Sequence, residues 1–258
     1  MFISIDNKRI HYELINEQWI SDGKTLLVFL HEGLGSIPQW KGFPEQLSNR
    51  LQLPALVYER QGYGESDFWD NGEIKSRFLH HEALLMLPLL IQKLNFDNPI
   101  IIFGHSDGGT IALIHASEPL ANVKAVIVEA PHVFLEEHSL NGIRKARAIL
   151  NNNKLVRVLD RYHQARAGDL IDKWTAHWLA ANDTDWEASS SLKKIIIPLL
   201  LIQGDDDDFG TFAQIDMVAQ LAESTIIEVA QIKDCGHVPH LQKQEEILKL
   251  AQDFINKI

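Results

Sequence analysis

Six short runs rich in Val, Ile and Leu recur along this chain, and longer stretches with helical patterning separate them. The runs are Leu26–Leu30, Ala55–Tyr58, Ile100–Phe103, Ala125–Val128, Leu199–Ile202 and Ile226–Val229. Continuous apolar runs of this length are typical of parallel strands buried on both faces of a sheet. The helical patterns are Lys75–Leu94, Thr110–Ser117, Phe212–Ala222 and Glu245–Lys257. This alternation predicts an α/β fold with a doubly wound, mostly parallel sheet.

Two segments depart from the alternation. Phe2–Ile5 and Ile10–Leu14 are separated by four polar residues, which predicts an antiparallel hairpin at the sheet edge. Residues 136–190 have helical patterning without a convincing strand, so we interpret them as a small helical insertion over the sheet. Residues 1–135 and 191–258 then form one core domain. The amphipathic segments of the insertion are Ile143–Leu150, Val156–Gln164 and Asp169–Ala181.

Composition excludes several classes of function. The 258 residues carry a net charge of −11, which repels nucleic-acid backbones and anionic lipid surfaces. Cys235 is the single cysteine, so neither an internal disulfide nor a cysteine-only zinc site can form. The first twenty residues lack the apolar core of a signal peptide, and the longest apolar run, Leu84–Ile91, is too short to span a membrane. We expect a cytoplasmic protein that binds a small-molecule substrate, while no pattern specifies an oligomeric state.

The segment Gly104-His105-Ser106-Asp107-Gly108-Gly109 carries the strongest chemical signal. It has the form G-x-S-x-G, directly after a predicted strand and directly before a predicted helix. A sharp turn in this context exposes the serine hydroxyl at the carboxyl edge of the sheet, where glycines allow the backbone to approach its neighbours. We therefore predict that Ser106 is a nucleophile.

A serine needs a base to remove its proton and a carboxylate to orient that base. His237 follows the last predicted strand, and the run Asp205–Asp208 follows the strand before it. This is the Ser…Asp…His order associated with such a turn. Glu129, which also ends a strand, is an alternative acid. A run of four carboxylates could also bind Ca²⁺ or Mg²⁺, but it cannot easily converge on one ion, so we expect no metal.

The oxyanion of a tetrahedral intermediate needs backbone N–H donors. One should be the N–H of Asp107, the residue after the nucleophile, and the other should lie in the loop after an earlier strand. That loop reads His31-Glu32-Gly33-Leu34-Gly35-Ser36, and we place the second donor at Gly33. His31 and His105 lie close to the site, where we expect them to form hydrogen bonds within loops.

On four blocks, HEGLGS at 31–36, GHSDGG at 104–109, GDDDD at 204–208 and CGH at 235–237, the chain resembles the α/β-hydrolase superfamily. The resemblance implies a helical cap domain inserted after the sixth strand, which matches residues 136–190. It also selects Asp207 over Asp206 as the acid, because relatives carry the acid three positions after the glycine that ends the strand. Glu32 departs from the family pattern, in which glycine follows the loop histidine.

The resemblance implies a serine hydrolase that cleaves an ester or related carbonyl compound through an acyl-enzyme, without a cofactor. A C–C bond hydrolase of aromatic degradation is an alternative, and so is a ligand-binding protein with weak catalytic activity. The candidate substrate-pocket residues are Leu34, His132, Phe134, Trp174 and Trp178. The two tryptophans lie four residues apart on one helix face, so they could equally pack the insertion onto the core.

Overall fold

The apolar runs form the strands of a central sheet. The computed structural model describes residues 1–20, 23–69, 77–119, 121–150, 153–180 and 188–258. Its strands are β1 (Phe2–Ile5), β2 (Lys8–Ile15), β3 (Leu26–Leu30), β4 (Ala55–Tyr58), β5 (Ile100–His105), β6 (Val123–Glu129), β7 (Leu199–Gly204) and β8 (Ile227–Ile232). Within these ranges they pair in the order β1-β2-β4-β3-β5-β6-β7-β8.

Strand direction confirms the predicted fold class. β1 and β2 form an antiparallel hairpin, and β2 also runs antiparallel to β4. From β4 to β8 each neighbouring pair is parallel. The carboxyl ends of β3, β5, β6, β7 and β8 therefore lie along one edge of the sheet, which is where ligands bind in folds of this kind.

Helices connect the strands and cover the sheet. They are α1 (Phe43–Leu51), α2 (Phe78–His81), α3 (Leu87–Lys93), α4 (Asp107–Ala116), α5 (Glu137–Leu150), α6 (Asn153–Asp160), α7 (Ala167–Ala180), α8 (Ser189–Leu192), α9 (Ala213–Leu221), α10 (Pro239–Gln242) and α11 (Gln244–Ile255). A π-helical turn, Glu82–Met86, joins α2 to α3. No helix in the described residues is long and apolar enough to cross a membrane.

Side chains of the central strands fill two cores, one on each face of the sheet. Val28 and Ile102 contribute to one core, while their neighbours Phe29 and Phe103 contribute to the other. This follows from the two-residue period of a strand, which directs successive side chains to opposite faces. Every residue of β3 and β5 is buried, so the strands that precede Gly33 and Ser106 are packed on both faces.

The structure extends several predicted elements toward the candidate site. β5, β6 and β7 continue to His105, Glu129 and Gly204, one or two residues beyond the predicted apolar runs. α4 begins at Asp107 instead of Thr110, even though its first turn contains two glycines. Glycine disfavours helix formation, but this turn packs against strand backbone that leaves no room for a side chain. α1 was not predicted.

Between β6 and β7 the described residues include three longer helices, α5, α6 and α7, which contact one another. They correspond to the three predicted amphipathic segments, although α6 ends at Asp160 and a turn replaces the predicted helix after it. Residues 151–152 and 181–187 of this segment lie outside the described residues, as do residues 75 and 76 at the start of one predicted helix. The division into core and insertion stays a prediction.

Candidate active site

Ser106 occupies the turn between β5 and α4 with φ +54° and ψ −119°. A positive φ is uncommon for a non-glycine residue and marks a strained backbone. The turn is held by a hydrogen bond from the Ser106 N–H to the Glu129 carbonyl, at 2.8 Å. A Cβ at Gly108 would lie 2.0 Å from the Leu30 carbonyl oxygen. Only glycine at this position allows the turn to approach β3 so closely.

The side chains of Ser106, His237 and Asp207 form a continuous hydrogen-bonded chain. His237 Nε2 lies 3.0 Å from Ser106 Oγ. His237 Nδ1 lies 2.8 and 3.0 Å from the two carboxylate oxygens of Asp207. The three residues follow β5, β8 and β7, whose carboxyl ends share one edge of the sheet. The arrangement can transfer a proton from the serine to an imidazole that a carboxylate holds in place.

Asp207 is held by two further donors. The Phe209 N–H donates to its Oδ1 at 2.7 Å, and the Gln203 side-chain amide donates to its Oδ2 at 2.6 Å. Burial opposes ionisation of Asp207, but the positive potential of His237 and the hydrogen bonds outweigh it, so the pKa of Asp207 lies below its ordinary value. The carboxylate therefore stays charged and oriented toward His237.

The other candidate acids have different surroundings. Glu129 is fully buried and its Oε2 lies 2.6 Å from Nδ1 of His240, not from His237. Asp206 is exposed. Asp205 accepts a hydrogen bond from the Cys235 N–H. Asp207 is thus the carboxylate that contacts His237, and the buried Glu129–His240 pair is a separate feature beneath the site.

His105 and Glu32 support the loop that carries His237. His105 Nε2 donates to the His237 carbonyl at 2.7 Å, and its Nδ1 lies 3.7 Å from a carboxylate oxygen of Glu32. Burial opposes protonation of His105, but Glu32 and Glu129 raise its pKa above the ordinary value. Burial likewise opposes ionisation of Glu32, but contact with His105 lowers its pKa to about 2. The predicted loop-bonding role of His105 is confirmed, and Glu32 is ionised at neutral pH.

The two predicted N–H donors lie in the segments that follow two neighbouring strands. β3 and β5 are parallel, with Leu30 opposite Gly104, so the loops that follow them run side by side. Asp107 begins α4, and the first N–H groups of a helix have no partner in a preceding turn. The Gly33 N–H donates no backbone hydrogen bond within the described residues. Both amides are thus available to a ligand.

An apolar cavity of about 140 Å³ opens beside Ser106 and His237. The five predicted pocket residues all line it, together with Glu32, Leu135, Phe209 and one face of α5. The contributing residues of α5 are Ser139, Ile143, Ala146 and Leu150. Their spacing of three and four residues places them on one face of the helix. This spacing could be read from the sequence, but it did not indicate what the face covers.

His132 was predicted only to line the substrate pocket, but in the structure it also contacts the nucleophile. Its Nε2 is 3.1 Å from Ser106 Oγ, so the serine contacts two imidazoles. Burial and the neighbouring His237 lower the pKa of His132 to about 4, so its ring is neutral at physiological pH. The sequence places His132 three residues after a strand, but nothing in that position indicates contact with the serine hydroxyl.

Comparison with known proteins agrees with this architecture. A family model described as the alpha/beta hydrolase family matches residues 27–250. The chain belongs to the α/β hydrolase family. This α/β hydrolase is similar to a putative esterase/lipase 2 from Mycoplasma genitalium, with 32% identity over 254 residues that cover 91% of this chain and 90% of the relative.

More distant relatives cover a similar length. A proline iminopeptidase from Lactobacillus helveticus is 20% identical over 288 residues, which cover 96% of this α/β hydrolase and 94% of the relative. A solved structure of a carboxylesterase from the thaumarchaeon Nitrososphaera gargenis superimposes with a TM-score of 0.77 and 19% identity, covering 99% and 98% of the two chains. The family and the esterase-named relative support a hydrolase; the solved structure supports the fold.

Proposed function

We propose that this protein is a serine hydrolase that cleaves an ester or related carbonyl substrate of small-molecule size through an acyl-enzyme on Ser106. The observation that carries the proposal is the hydrogen-bonded chain from Ser106 through His237 to Asp207, at one end of an apolar cavity. The relative that is 32% identical and named an esterase/lipase supports an ester as the first substrate class.

In acylation, His237 Nε2 takes the hydroxyl proton while Ser106 Oγ forms a bond to the substrate carbonyl carbon. The carbonyl π electrons move onto the oxygen, and the N–H groups of Gly33 and Asp107 stabilise this oxyanion. Asp207 stabilises the imidazolium that forms on His237. The intermediate collapses when the bond to the leaving alcohol breaks, and His237 returns its proton to that alcohol.

In deacylation, a water molecule replaces the alcohol. His237 removes a proton from the water as the water oxygen attacks the ester carbon, and the same two N–H groups stabilise the second oxyanion. The bond between the carbon and Ser106 Oγ then breaks, and Oγ takes the proton from His237. The products are a carboxylic acid and the free enzyme, and the cycle uses no cofactor.

The cavity favours an uncharged acyl group. Its walls are mainly Leu, Ile, Phe and Trp side chains, and among the described lining residues there is no Lys or Arg to pair with an anion. The lining does include Glu32, whose pKa of about 2 keeps it negatively charged. A negative charge in an apolar site disfavours a second one. A carboxylate-bearing substrate, such as the dienoate of a C–C bond hydrolase, is therefore a poor fit.

Labelling with a fluorophosphonate, followed by intact-mass analysis, tests the nucleophile. We expect one adduct on the wild-type protein and none on Ser106→Ala. Circular dichroism verifies that both proteins are folded. Absence of an adduct on folded wild-type protein would contradict the proposed mechanism. Saturable binding of esters without turnover, unchanged in Ser106→Ala, would instead support a ligand-binding protein.

A matched pair of esters tests the substrate class. p-Nitrophenyl butyrate and p-nitrophenyl hemisuccinate share a four-carbon acyl group and differ mainly in a terminal carboxylate. We expect kcat/KM to favour the butyrate by about tenfold or more, since one unfavourable charge contact of about 1.4 kcal/mol gives that ratio. Glu32→Gln should narrow the ratio, whereas an unchanged ratio would show that Glu32 does not select the acyl group.

A further inference from the structure

We propose that His132 is a second catalytic histidine, which donates a hydrogen bond from Nε2–H to Ser106 Oγ and stabilises negative charge on that oxygen during acylation and deacylation. The inference rests on the proposed function, because it takes Ser106 as the nucleophile. Its geometric basis is the 3.1 Å distance between His132 Nε2 and Ser106 Oγ. His132 also lines the cavity beside the serine, so its ring lies where the substrate carbonyl must approach.

Proton counting assigns the direction of this hydrogen bond. Ser106 Oγ carries one hydrogen, and His237 Nε2 at 3.0 Å is its acceptor. His237 Nδ1 must carry a hydrogen, because its partners are the two carboxylate oxygens of Asp207. A neutral His237 thus has a bare Nε2. With its only hydrogen committed to His237, Oγ can still accept through its lone pairs, so Nε2 of His132 is the donor.

The neutral state of His132 suits this role. A neutral imidazole carries one hydrogen, and placing it on Nε2 satisfies the contact with Ser106. Burial and His237 keep the ring neutral at physiological pH. A neutral donor therefore assists Oγ without adding a positive charge that would oppose protonation of His237, whose imidazolium must form in each half of the cycle.

The backbone of His132 is fixed from two sides. The Thr110 hydroxyl accepts the His132 N–H at 2.9 Å and donates to the His132 carbonyl at 2.7 Å. The next residue, Val133, donates its N–H to the buried Gln214 side chain at 2.8 Å. Ala130, two residues earlier, has a φ of +47°, a strained conformation for alanine. These contacts fix the position of the His132 backbone, so the donor is placed beside Ser106 before the reaction begins.

The hydrogen bond from His132 to Ser106 Oγ strengthens at two points of the catalytic cycle. It becomes charge-assisted as Oγ gives its proton to His237 during the attack, and again as the bond between Oγ and the acyl carbon breaks and the electron pair returns to Oγ. In the acyl-enzyme Oγ is a neutral ester oxygen and accepts the bond weakly. No proton leaves His132 at any step, so the proton balance of the mechanism is unchanged.

Three substitutions separate this role from simple packing. His132→Gln places an amide N–H three bonds from Cβ, as Nε2 is in histidine, whereas His132→Asn places it only two bonds away. His132→Leu removes the donor. We expect Leu and Asn to lower kcat/KM for p-nitrophenyl butyrate, and the rate constant for fluorophosphonate inactivation, by about 10- to 100-fold. Gln should remain within about threefold of wild type, since it restores the donor.

Thr110→Val provides an independent variant, because valine keeps the shape of threonine but removes both hydrogen bonds to the His132 backbone. The Thr110 hydroxyl also lies 3.4 Å from the Ser106 carbonyl oxygen, a weaker contact that valine removes as well. We expect Thr110→Val to cause a smaller loss of rate than His132→Leu. The two losses should be less than additive in the double variant, since both changes weaken the contact between His132 and Ser106. Thermal unfolding of every variant verifies that the compared proteins are folded at the assay temperature.

The outcomes distinguish this inference from the proposed function. If the wild-type protein forms no adduct at Ser106, the proposed function fails and this inference fails with it. If the wild-type protein is labelled and folded His132→Leu is inactivated at the same rate, only the role of His132 is wrong. Equal losses in the Leu and Gln variants would also overturn it, because glutamine supplies the donor.

Discussion

The indole Nε1 of Trp174 donates a hydrogen bond to the carboxylate of Asp107 at 3.1 Å. Both side chains are buried, and the guanidinium of Arg60 lies 3.9 Å from the same carboxylate oxygen. Asp107 directly follows the candidate nucleophile, so this bond joins α7 to the turn that holds Ser106. The same indole lies against Gly33, and one tryptophan thereby contacts both residues whose N–H groups we assign to the oxyanion.

Trp174→Phe tests the hydrogen bond between Trp174 and Asp107. Phenylalanine keeps most of the apolar area but leaves the buried Asp107 carboxylate with one fewer donor, so we expect a loss of about 1–3 kcal/mol in the free energy of unfolding and a lower kcat. Chemical denaturation and ester hydrolysis measure the two effects. Trp40→Phe is the control, because the Trp40 indole N–H has no hydrogen-bond partner among the described residues. Equal effects of both substitutions would contradict the link.

Gly33→Ala should disrupt the proposed oxyanion site. A Cβ at this position would lie 2.2 Å from Nε1 of Trp174, so either the loop or the indole must move. Because a displacement of about 1 Å in a catalytic group can lower a rate about 100-fold, we expect kcat to fall by at least about tenfold. Gly168→Ala in α7 is the matched control: its Cβ would meet only Val156, at 3.8 Å, and should leave kcat unchanged.

The identity of the triad acid can be tested with three isosteric changes. Asp207→Asn should lower kcat by about 10³- to 10⁴-fold, because an amide cannot stabilise the imidazolium of His237. Glu129→Gln weakens the buried contact with His240, so we expect it to lower the free energy of unfolding while kcat stays within about threefold. Asp206 is exposed, so Asp206→Asn should change neither kcat nor the free energy of unfolding. A larger kcat loss in Glu129→Gln than in Asp207→Asn would reverse the assignment.

The sequence predicted the proposed catalytic residues of this site more completely than the residues that line its cavity. Ser106 and His237 could be placed together because a strand precedes each of them and parallel strands end at one edge. Asp207 was harder to choose from the sequence, since four aspartates are consecutive. Its orientation depends on donors from Gln203 and Phe209, and these bonds form only after the loop has folded.

The cavity wall formed by α5 was missed for a different reason. A helical period indicates that Ile143 and Leu150 lie on one face, but it does not indicate whether that face meets another helix, the sheet or a cavity. The contact between His132 and Ser106 was missed because it joins the ends of two neighbouring strands, and the path of the chain after β6 depends on hydrogen bonds to Thr110.

The buried, neutral state of His132 has a measurable consequence for stability. In the folded protein His132 stays neutral until the pH falls to about 4, whereas in the unfolded chain a histidine takes up a proton below about pH 6.5. Between these values the unfolded state binds the extra proton, so acidification favours unfolding. His31, His115 and His163 also have pKa values lowered by burial and act in the same direction.

We therefore expect the free energy of unfolding to fall as the pH is lowered from 7.5 to 5, and His132 alone to account for about 2 kcal/mol of that fall. His132→Gln removes this titration, so the difference between the two pH values should be smaller in the variant by about that amount, whatever its absolute stability. Urea denaturation of both proteins at each pH measures the difference. An identical pH dependence in the variant would mean that His132 takes up its proton at the same pH in the folded and unfolded protein. The fold would then not keep its ring neutral below about pH 6.5, and a ring protonated there would oppose the positive charge that His237 must acquire.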